Sequence, residues 1–228
     1  MLINLRNAMM AGKRKPTAKD YVQNGLVAMW DGIENAGWGV HDASATTWKN
    51  LAGNDYNLDV VNGATFGDDH IICNQTNKPV ATSSQHIPSV NNVFVEFVFD
   101  KTTTATYAFA LYTSLNYGII AFKQNGVVFA SNGGTSRSID LGGNTFTGSI
   151  SFDYNTVKKY KNGQEVESGS YNESWGGIQD NIAVGGRLNS SSSVFRGKIY
   201  AIRIYSRALT AEEVARNYAI DKARFHLP

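Results

Sequence analysis

The sequence pattern of residues 195–214 predicts a strand, a short turn and the start of a helix in direct succession. This order constrains the fold more than any other part of the chain. Residues 195–205 are rich in aromatic and β-branched side chains, which suit a pleated, half-buried surface. Thr210 stands three residues before Glu213, the spacing of a capping box in which two side chains satisfy free backbone amides reciprocally. The pattern predicts a long strand followed by a helix that begins after Thr210.

The middle of the chain reads as a succession of short strands separated by turns. Residues 93–99 form an apolar and aromatic run around one glutamate, which is typical of a central strand. The pairs Asn125-Gly126 and Asn162-Gly163 tolerate positive φ and mark hairpin turns. Strand patterns recur about every eight to twelve residues without a fixed repeat, which favours a β-sandwich and disfavours propellers and solenoids.

We therefore predict one all-β domain in residues 21–228, built of two antiparallel sheets with one C-terminal helix. A length of 228 residues suits a single large sandwich. The only cysteine, Cys73, is expected to be buried as a small hydrophobe. Trp30 and Trp48 lie in apolar strand patterns and are expected in the core. The further core residues that we expect are Phe97, Phe99, Phe109, Ile150, Phe152, Ile202 and Ile204.

The first 20 residues are predicted to form a basic arm that is separate from the sandwich. Five basic residues precede the first acidic one, Asp20, and the rest of the chain has sixteen basic residues against nineteen acidic ones. A basic arm on a slightly acidic body indicates attachment rather than nucleic-acid binding, which needs a concentrated basic face on the fold. No apolar run approaches the ~20 residues needed to span a bilayer.

The arm carries a small apolar stripe formed by Leu2, Leu5 and Met9. Either the arm is a disordered tail, or it docks this stripe, together with Lys13 and Arg14, on a partner or on copies of itself. The N-terminal residues do not form the apolar stretch of a secretion signal, because polar residues interrupt it. We therefore expect a protein that reaches its surface by cell lysis rather than by secretion.

Three motifs resemble laminin G-like domains, which are members of the concanavalin A-like β-sandwich superfamily. The closing segment matches a G-x-I-x-x-V/I-R-I-Y-x-R-A-L strand followed by S/T-x-x-E-I/V. Residues 157–163 resemble a V-x-x-Y-x-N-G hairpin, and residues 25–42 resemble a common opening of such domains in bacterial and phage proteins. The segment after this opening, residues 48–54, resembles a W-x-D-L-S-G-N sequence of such domains, but Asn50 stands where that sequence has an aspartate. Residues 2–14 also resemble the start of phage structural proteins.

The resemblance implies a jelly-roll sandwich and a recognition module that binds carbohydrate. It implies display on a phage virion or an extracellular surface, with glycans and other virion or surface proteins as partners. A homotrimer is an expectation from resemblance alone. The alternative is a purely structural virion decoration or oligomerisation protein, and a third hypothesis is a glycan-cleaving enzyme.

The sequence argues against catalysis. Glucanases of this superfamily carry strand-borne acids in an E-x-D-x-x-E pattern, which places acid and nucleophile on one face. The chain has no E-x-D pair, and Glu165 and Glu167 follow a hairpin turn and are expected to face solvent. The histidines show no H-E-x-x-H spacing. We expect no enzymatic activity and no required cofactor.

Candidate ligand-binding residues lie in stretches rich in glycine, asparagine and serine, which are expected to be loops. They are Trp38, Tyr171, Asn172 and Trp175, since aromatic faces hold the C–H surface of sugars and planar polar groups fix the hydroxyls. For Trp38 the alternative is a structural role.

A calcium site is the open alternative to a cofactor-free protein. Asp31, Glu34, His41 and Asp42 lie close together in the sequence and could gather oxygen ligands. They lack the D-x-D-x-D-G spacing of a dedicated calcium loop, so the second interpretation is a hydrogen-bonded turn.

Overall fold

Two antiparallel sheets form the body of the protein, as predicted. The computed structural model describes residues 14–53, 55–73, 79–83, 92–101, 107–112, 119–123, 126–130, 136–140, 145–153, 156–170, 182–186 and 195–228. The strands of the first sheet are β1 (Leu26–Asp31), β4 (Ile71–Cys73), β6 (Asn92–Lys101), β11 (Thr145–Asp153), β12 (Thr156–Lys161), β13 (Gln164–Ser170) and β15 (Gly197–Tyr205). Their spatial order is β1-β15-β6-β11-β12-β13, and β4 pairs with β15.

The strands of the second sheet are β2 (Thr47–Trp48), β3 (Leu58–Val60), β5 (Ala81–Ser83), β7 (Tyr107–Tyr112), β8 (Ile119–Lys123), β9 (Gly126–Ala130), β10 (Ser136–Asp140) and β14 (Ile182–Val184). Their spatial order is β10-β9-β8-β7-β14-β5-β3-β2. The two sheets are linked along the chain by repeated crossings, as in a jelly roll.

The main core lies between the sheets and matches the expectation wherever side chains are described. Phe97, Phe99, Ile202 and Ile204 are buried there with Trp30, Trp48 and Cys73. Burial of each large apolar side chain contributes about 1.5–3 kcal/mol. The side chains of Phe109, Ile150 and Phe152, also expected in the core, lie outside what the structure describes.

A bulge in β15 changes which side chains face the core. Ile199, Ile202 and Ile204 point to the second sheet, whereas Tyr200 and Ala201 both join the cluster on the opposite face. The pairing of β15 with β6 shifts between Ile199 and Ala201, so one extra residue is accommodated there. The strand is thereby buried on both faces.

Helix α1 (Ala211–Phe225) covers the outer face of the first sheet. It begins as predicted, because the Thr210 hydroxyl accepts from the Glu213 amide at 3.2 Å and Glu213 accepts from the Thr210 amide at 2.9 Å. Val214 packs against Phe94 and Tyr205, and Phe225 packs against Tyr200. Among the described residues, no helix is long and apolar enough to cross a membrane.

A charged cluster is sealed between α1 and the sheet. The Arg203 guanidinium on β15 donates to Glu96 on β6 at 2.8 Å and to both carboxylate oxygens of Asp221 on α1. Asn217 donates to Glu96 at 2.7 Å and to the Tyr205 hydroxyl at 3.0 Å. Burial raises the pKa of Glu96, and the Arg203 charge opposes that rise. The cluster therefore ties the helix to the sheet at a defined register.

The end of the predicted arm packs on the sandwich. A 3₁₀ turn at Ala18–Asp20 buries Ala18 against Tyr21, Met29 and Ile220. Arg14 forms a two-point ion pair with Asp20, with distances of 2.8 and 2.6 Å. Leu2, Leu5, Met9 and Lys13 lie outside the described residues, so their role as an anchor stays a prediction.

Candidate functional site

The segment after β1 forms a tight loop that presents a tryptophan. We call residues 34–42 the Trp38 loop. The Ala36 amide donates to the Val40 carbonyl at 3.2 Å, and the Val40 amide donates to the Gly37 carbonyl at 2.9 Å. Gly37 and Gly39 on either side of Trp38 have φ of 131° and 70°, which side-chain-bearing residues rarely adopt. The sequence therefore shapes the loop through these two glycines.

Two apolar side chains of this loop meet solvent. The Trp38 residue is 38% exposed and Val40 is 51% exposed, and they are two of three large apolar residues classed as exposed among the described residues. The third, Val166, lies on strand β13 away from this loop in the sequence. An exposed indole on a loop with fixed geometry is the arrangement expected for a ligand contact.

The Glu34 carboxylate stabilises the Trp38 loop through three hydrogen bonds. Its carboxylate accepts from the Ala18 amide at 2.9 Å, from the Gly39 amide at 2.9 Å, and from Arg224 Nη1 at 3.0 Å. Burial opposes ionisation of Glu34, but these hydrogen bonds and the Arg224 charge outweigh it and lower the pKa of the carboxyl. Because Glu34 is only 6% exposed, its carboxylate stabilises the loop and is not accessible to a ligand.

Asp31 and Asn35 complete the support. Asp31 Oδ1 accepts from the Ile33 and Glu34 amides and from Arg224 Nη2 at 2.7 Å. The Asn35 side chain accepts from the Asp42 amide and donates to the Asp42 carbonyl, joining the two ends of the loop. This is the hydrogen-bonded turn that was the alternative to a calcium site.

The calcium candidates are not brought together as a metal site. Asp31 and Glu34 are engaged with Arg224, and Asp42 is exposed and accepts from the Ser44 amide and hydroxyl at 2.8 and 2.7 Å. His41 Nδ1 lies 3.2 Å from the Gly32 carbonyl. Within the described ranges no group of three or more His, Cys, Asp or Glu residues is placed to hold a metal ion.

The other sequence candidates divide into two groups. Tyr171, Asn172 and Trp175 lie outside the described residues, so the ligand-binding role assigned to them stays a prediction. Glu165 and Glu167 are exposed, as expected, and pair with Lys158 and Lys159 across the β12–β13 hairpin.

Sequence reasoning missed Lys19 and Arg224 as parts of this region. Lys19 Nζ lies 5.4 Å from the centroid of the Trp38 ring. The sequence places Lys19 within the basic arm of residues 1–20 and predicts no role for Arg224 in a site. A signal of this kind exists only for another buried arginine: Arg203 and Glu96 each stand inside a strongly apolar segment, where an isolated charge needs a partner.

Comparison with known proteins identifies the fold family. The family model described as the concanavalin A-like lectin/glucanases superfamily matches residues 98–215. No curated protein sequence matches the chain. A solved structure of Trypanosoma rangeli sialidase in complex with sialic acid has a TM-score of 0.61 at 14% identity, covering 93% of this chain and 34% of the sialidase.

The binding domain of botulinum neurotoxin serotype D has a TM-score of 0.62 at 13% identity, covering 87% of this chain and 52% of that domain. The chain thus spans about a third of the sialidase and about half of the neurotoxin domain. At such identities these likenesses show the fold alone. Because the family model matches more than half of its residues, the chain belongs to the concanavalin A-like lectin/glucanase superfamily.

Proposed function

We propose that the chain is a non-catalytic carbohydrate-binding module that contacts its ligand through the Trp38 loop. The observation that carries the proposal is the exposed indole of Trp38, flanked by two glycines of positive φ and by the exposed Val40. A sugar presents an apolar C–H face that packs on an indole, and its hydroxyls bind polar groups at the rim.

The loop is held in shape before any ligand arrives. Its base contains the buried ion pairs of Arg224 with Asp31 and Glu34, and Asn35 joins its two ends. A preformed site spares the ligand the entropic cost of ordering the loop, which raises affinity without adding contacts. This rigidity supports a recognition role for Trp38.

The superfamily supports carbohydrate as the ligand class. Its description joins lectins and glucanases, and one protein of similar fold was solved with sialic acid. The chain spans only part of that sialidase, so the likeness supports the class of ligand and not an identical one.

Five of the described carboxylates have structural partners, which supports binding without cleavage. Glycosidases need two accessible carboxyl groups roughly 5–9.5 Å apart on either side of the bond that breaks. Asp31, Glu96 and Asp221 are buried against arginines, and Glu165 and Glu167 are paired with lysines. Each of these acids has a structural partner that explains its place.

We also propose that the arm attaches the module to a larger particle, with a phage virion as the setting. Two observations support an attachment point: the arm is basic, and its last residues are fixed to the body through the hydrogen bond from the Ala18 amide to Glu34 and the buried Ala18 side chain. Deleting residues 1–13 should leave the melting temperature and glycan binding unchanged while abolishing binding to the particle.

A structural or self-associating role is the second candidate. Strand β13 ends the first sheet in the described part of the chain, and all seven of its residues are exposed. An exposed edge strand is a template for pairing with another chain, although the two glutamates on β13 reduce that tendency. Sedimentation velocity on wild type and Val166→Lys separates the two roles: a stable oligomer that the variant dissociates, without glycan binding, favours the structural role.

Binding to an array of neutral and acidic glycans, followed by calorimetry on the best ligand, tests the proposed function. Trp38→Ala should weaken binding by about tenfold, because it removes the apolar face on which the sugar packs, and each Å² of apolar surface buried contributes about 25 cal/mol. Val166→Ala, a change at the equally exposed β13, is the matched control and should bind as wild type. Trp175→Ala reports separately on the candidate that lies outside the described residues. Absence of binding to any glycan contradicts the proposal.

A further inference from the structure

The side chain of Lys19 lies next to the exposed indole of Trp38. Lys19 Nζ lies 5.4 Å from the centroid of the Trp38 ring, within cation–π distance. The two residues are 19 positions apart in the sequence. The backbone amide of Ala18 donates a hydrogen bond to the Glu34 carboxylate, and this contact joins the 3₁₀ turn that carries Lys19 to the base of the Trp38 loop. The backbone therefore places Lys19 next to the Trp38 loop, within reach of the indole.

Within the described residues, the Lys19 ammonium has no ion-pair partner. The Lys19 side chain contacts the Trp38 ring, and no carboxylate in the described part of the chain approaches it closely enough for an ion pair. The neighbouring Arg14 differs, since its guanidinium is bound at two points by Asp20. Lys19 is thus a cation of the 3₁₀ turn that no described carboxylate neutralises, so it can bind an anion.

The carboxylates of this region are engaged elsewhere. Asp20 binds Arg14, Glu34 binds Arg224 and two backbone amides, and Asp42 accepts two hydrogen bonds from Ser44. An incoming anion therefore meets a cation that no described carboxylate pairs with, next to an apolar ring, and the carboxylates of Asp20, Glu34 and Asp42 are already hydrogen-bonded.

Building on the proposed function, we infer that the Trp38 loop selects glycans that carry a carboxylate, with Lys19 as the group that binds it. A neutral sugar that stacks on the indole competes with the Lys19 ammonium for the ring. A carboxylated sugar uses both groups, because its C–H face packs on Trp38 while its carboxylate accepts hydrogen bonds from Lys19. Charge-assisted hydrogen bonds of this kind are stronger than neutral ones.

The size of the preference follows from the exposure of Lys19. Exposed ion pairs contribute modestly, so we expect the carboxylated ligand to bind about three- to fivefold more tightly than its neutral counterpart. Salt screens such a pair, because the Debye length falls from about 10 Å at 0.1 M to about 3 Å at 1 M. The preference should therefore fade as salt is raised, while stacking on Trp38 persists.

The experiment measures the dissociation constants of two matched ligand pairs by calorimetry at 0.05 and 1 M NaCl. One pair is 3′-sialyllactose and lactose, and the other is a hyaluronan tetrasaccharide and its carboxyl-reduced form. These pairs distinguish a terminal acidic sugar from a uronic acid within a chain. The proteins are wild type, Lys19→Gln, Lys15→Gln as a control at an exposed lysine of the same segment, and Trp38→Ala.

We expect one acidic ligand to bind more tightly than its neutral match at low salt, and Lys19→Gln to remove this difference while Lys15→Gln keeps it. Equal binding of acidic and neutral ligands by wild type, with loss of both in Trp38→Ala, overturns the selectivity and leaves the proposed function standing. A preference that survives Lys19→Gln also overturns the role of Lys19. Failure of all ligands, here and on the array, contradicts the proposed function itself.

Discussion

Arg203 and Asp221 join the closing strand to the helix through two parallel hydrogen bonds, Nη1 to Oδ1 at 2.9 Å and Nη2 to Oδ2 at 2.6 Å. Both side chains are fully buried. A two-point arginine–carboxylate pair fixes orientation as well as distance. The pair therefore sets how α1 sits on the sheet, and the same helix supplies Arg224 to the base of the Trp38 loop.

Removing one member of this pair should be costly. We predict that Asp221→Asn lowers the free energy of unfolding by about 3–5 kcal/mol, because it removes one of the two carboxylates that bind the buried Arg203 guanidinium. Urea unfolding followed by circular dichroism measures the change. Lys158→Ala removes an exposed ion pair with Glu165 and is the control, with an expected loss below about 1 kcal/mol.

Should Asp221→Asn prove too unstable to purify, an apolar replacement tests the same idea. Buried ion clusters exchanged for apolar side chains of similar size often keep their stability. The triple change Glu96→Leu, Arg203→Met and Asp221→Leu should therefore be more stable than Asp221→Asn. A cost for Asp221→Asn no larger than that for Lys158→Ala would refute the role of the buried pair.

The helix cap gives a second prediction. Thr210→Ala removes the acceptor for the Glu213 amide and should lower the free energy of unfolding by about 1 kcal/mol. Glu212→Gln, in the same exposed turn but outside the capping box, should change it by less than half as much. The measurement is the shift in urea midpoint at constant m-value, and equal shifts for the two variants would rule out the cap as a stabilising element.

The Arg14–Asp20 ion pair predicts a pH dependence. Hydrogen bonds from the Arg14 guanidinium, followed by those from Thr17, lower the pKa of Asp20 to about 2 despite partial burial. Since the folded pKa lies below the unfolded one, ionised Asp20 stabilises the fold above about pH 4, and this contribution is lost as the pH falls towards 2. Because the pair is exposed to solvent, we expect at most about 1 kcal/mol.

Asp20→Asn tests this prediction. The variant should be less stable than wild type at pH 7, and the difference should shrink as the pH is lowered from 4 to 2. Asp59→Asn, at an exposed carboxylate of β3, is the control. A difference that stays constant across this range would mean that the charge of Asp20 has no part in holding the 3₁₀ turn.

The two glycines of the Trp38 loop predict an effect on binding. No atom lies within 4 Å of a Cβ built on Gly37, so Gly37→Ala meets no steric clash, but its φ of 131° is unfavourable for alanine. Backbone strain of this kind costs about 1–3 kcal/mol, which the loop relieves by changing shape. We predict weaker glycan binding with an unchanged circular-dichroism spectrum.

Gly169→Ala is the matched control for this change. It lies on β13, also has no atom within 4 Å of its Cβ, and has no strained φ. Its glycan affinity should equal that of wild type. Wild-type affinity in Gly37→Ala would show that the backbone shape of the Trp38 loop does not govern recognition.

The sequence predicted the parts of the fold that depend on local patterns. The strand at β15, the cap at Thr210 and the buried Trp30 and Trp48 follow from residue type and spacing over a few positions. The bulge between Ile199 and Ala201 did not follow, because it depends on how β15 pairs with β6. Strand order across the sheets is likewise a long-range property.

The candidate site was predicted only in part, for the same reason. Trp38 was recognised from its glycine-rich surroundings, but Arg224 binds Asp31 from 193 residues away and no local pattern signals this contact. Asp31 and Glu34 were therefore considered as calcium ligands, whereas the structure gives them an arginine partner. Lys19 lies beside Trp38 because the Ala18 amide in the 3₁₀ turn is hydrogen-bonded to Glu34 in the Trp38 loop, a contact that the sequence does not reveal.

Nuclear magnetic resonance of the indole N–H groups during a glycan titration tests the central claim most directly. Trp30 donates to the Tyr56 carbonyl and Trp48 to the Asp31 carbonyl from buried positions, so their signals are internal controls. With the best glycan from the array, the Trp38 indole signal should shift saturably with the calorimetric dissociation constant while those two stay in place. A glycan that binds by calorimetry without moving the Trp38 signal would contradict the account.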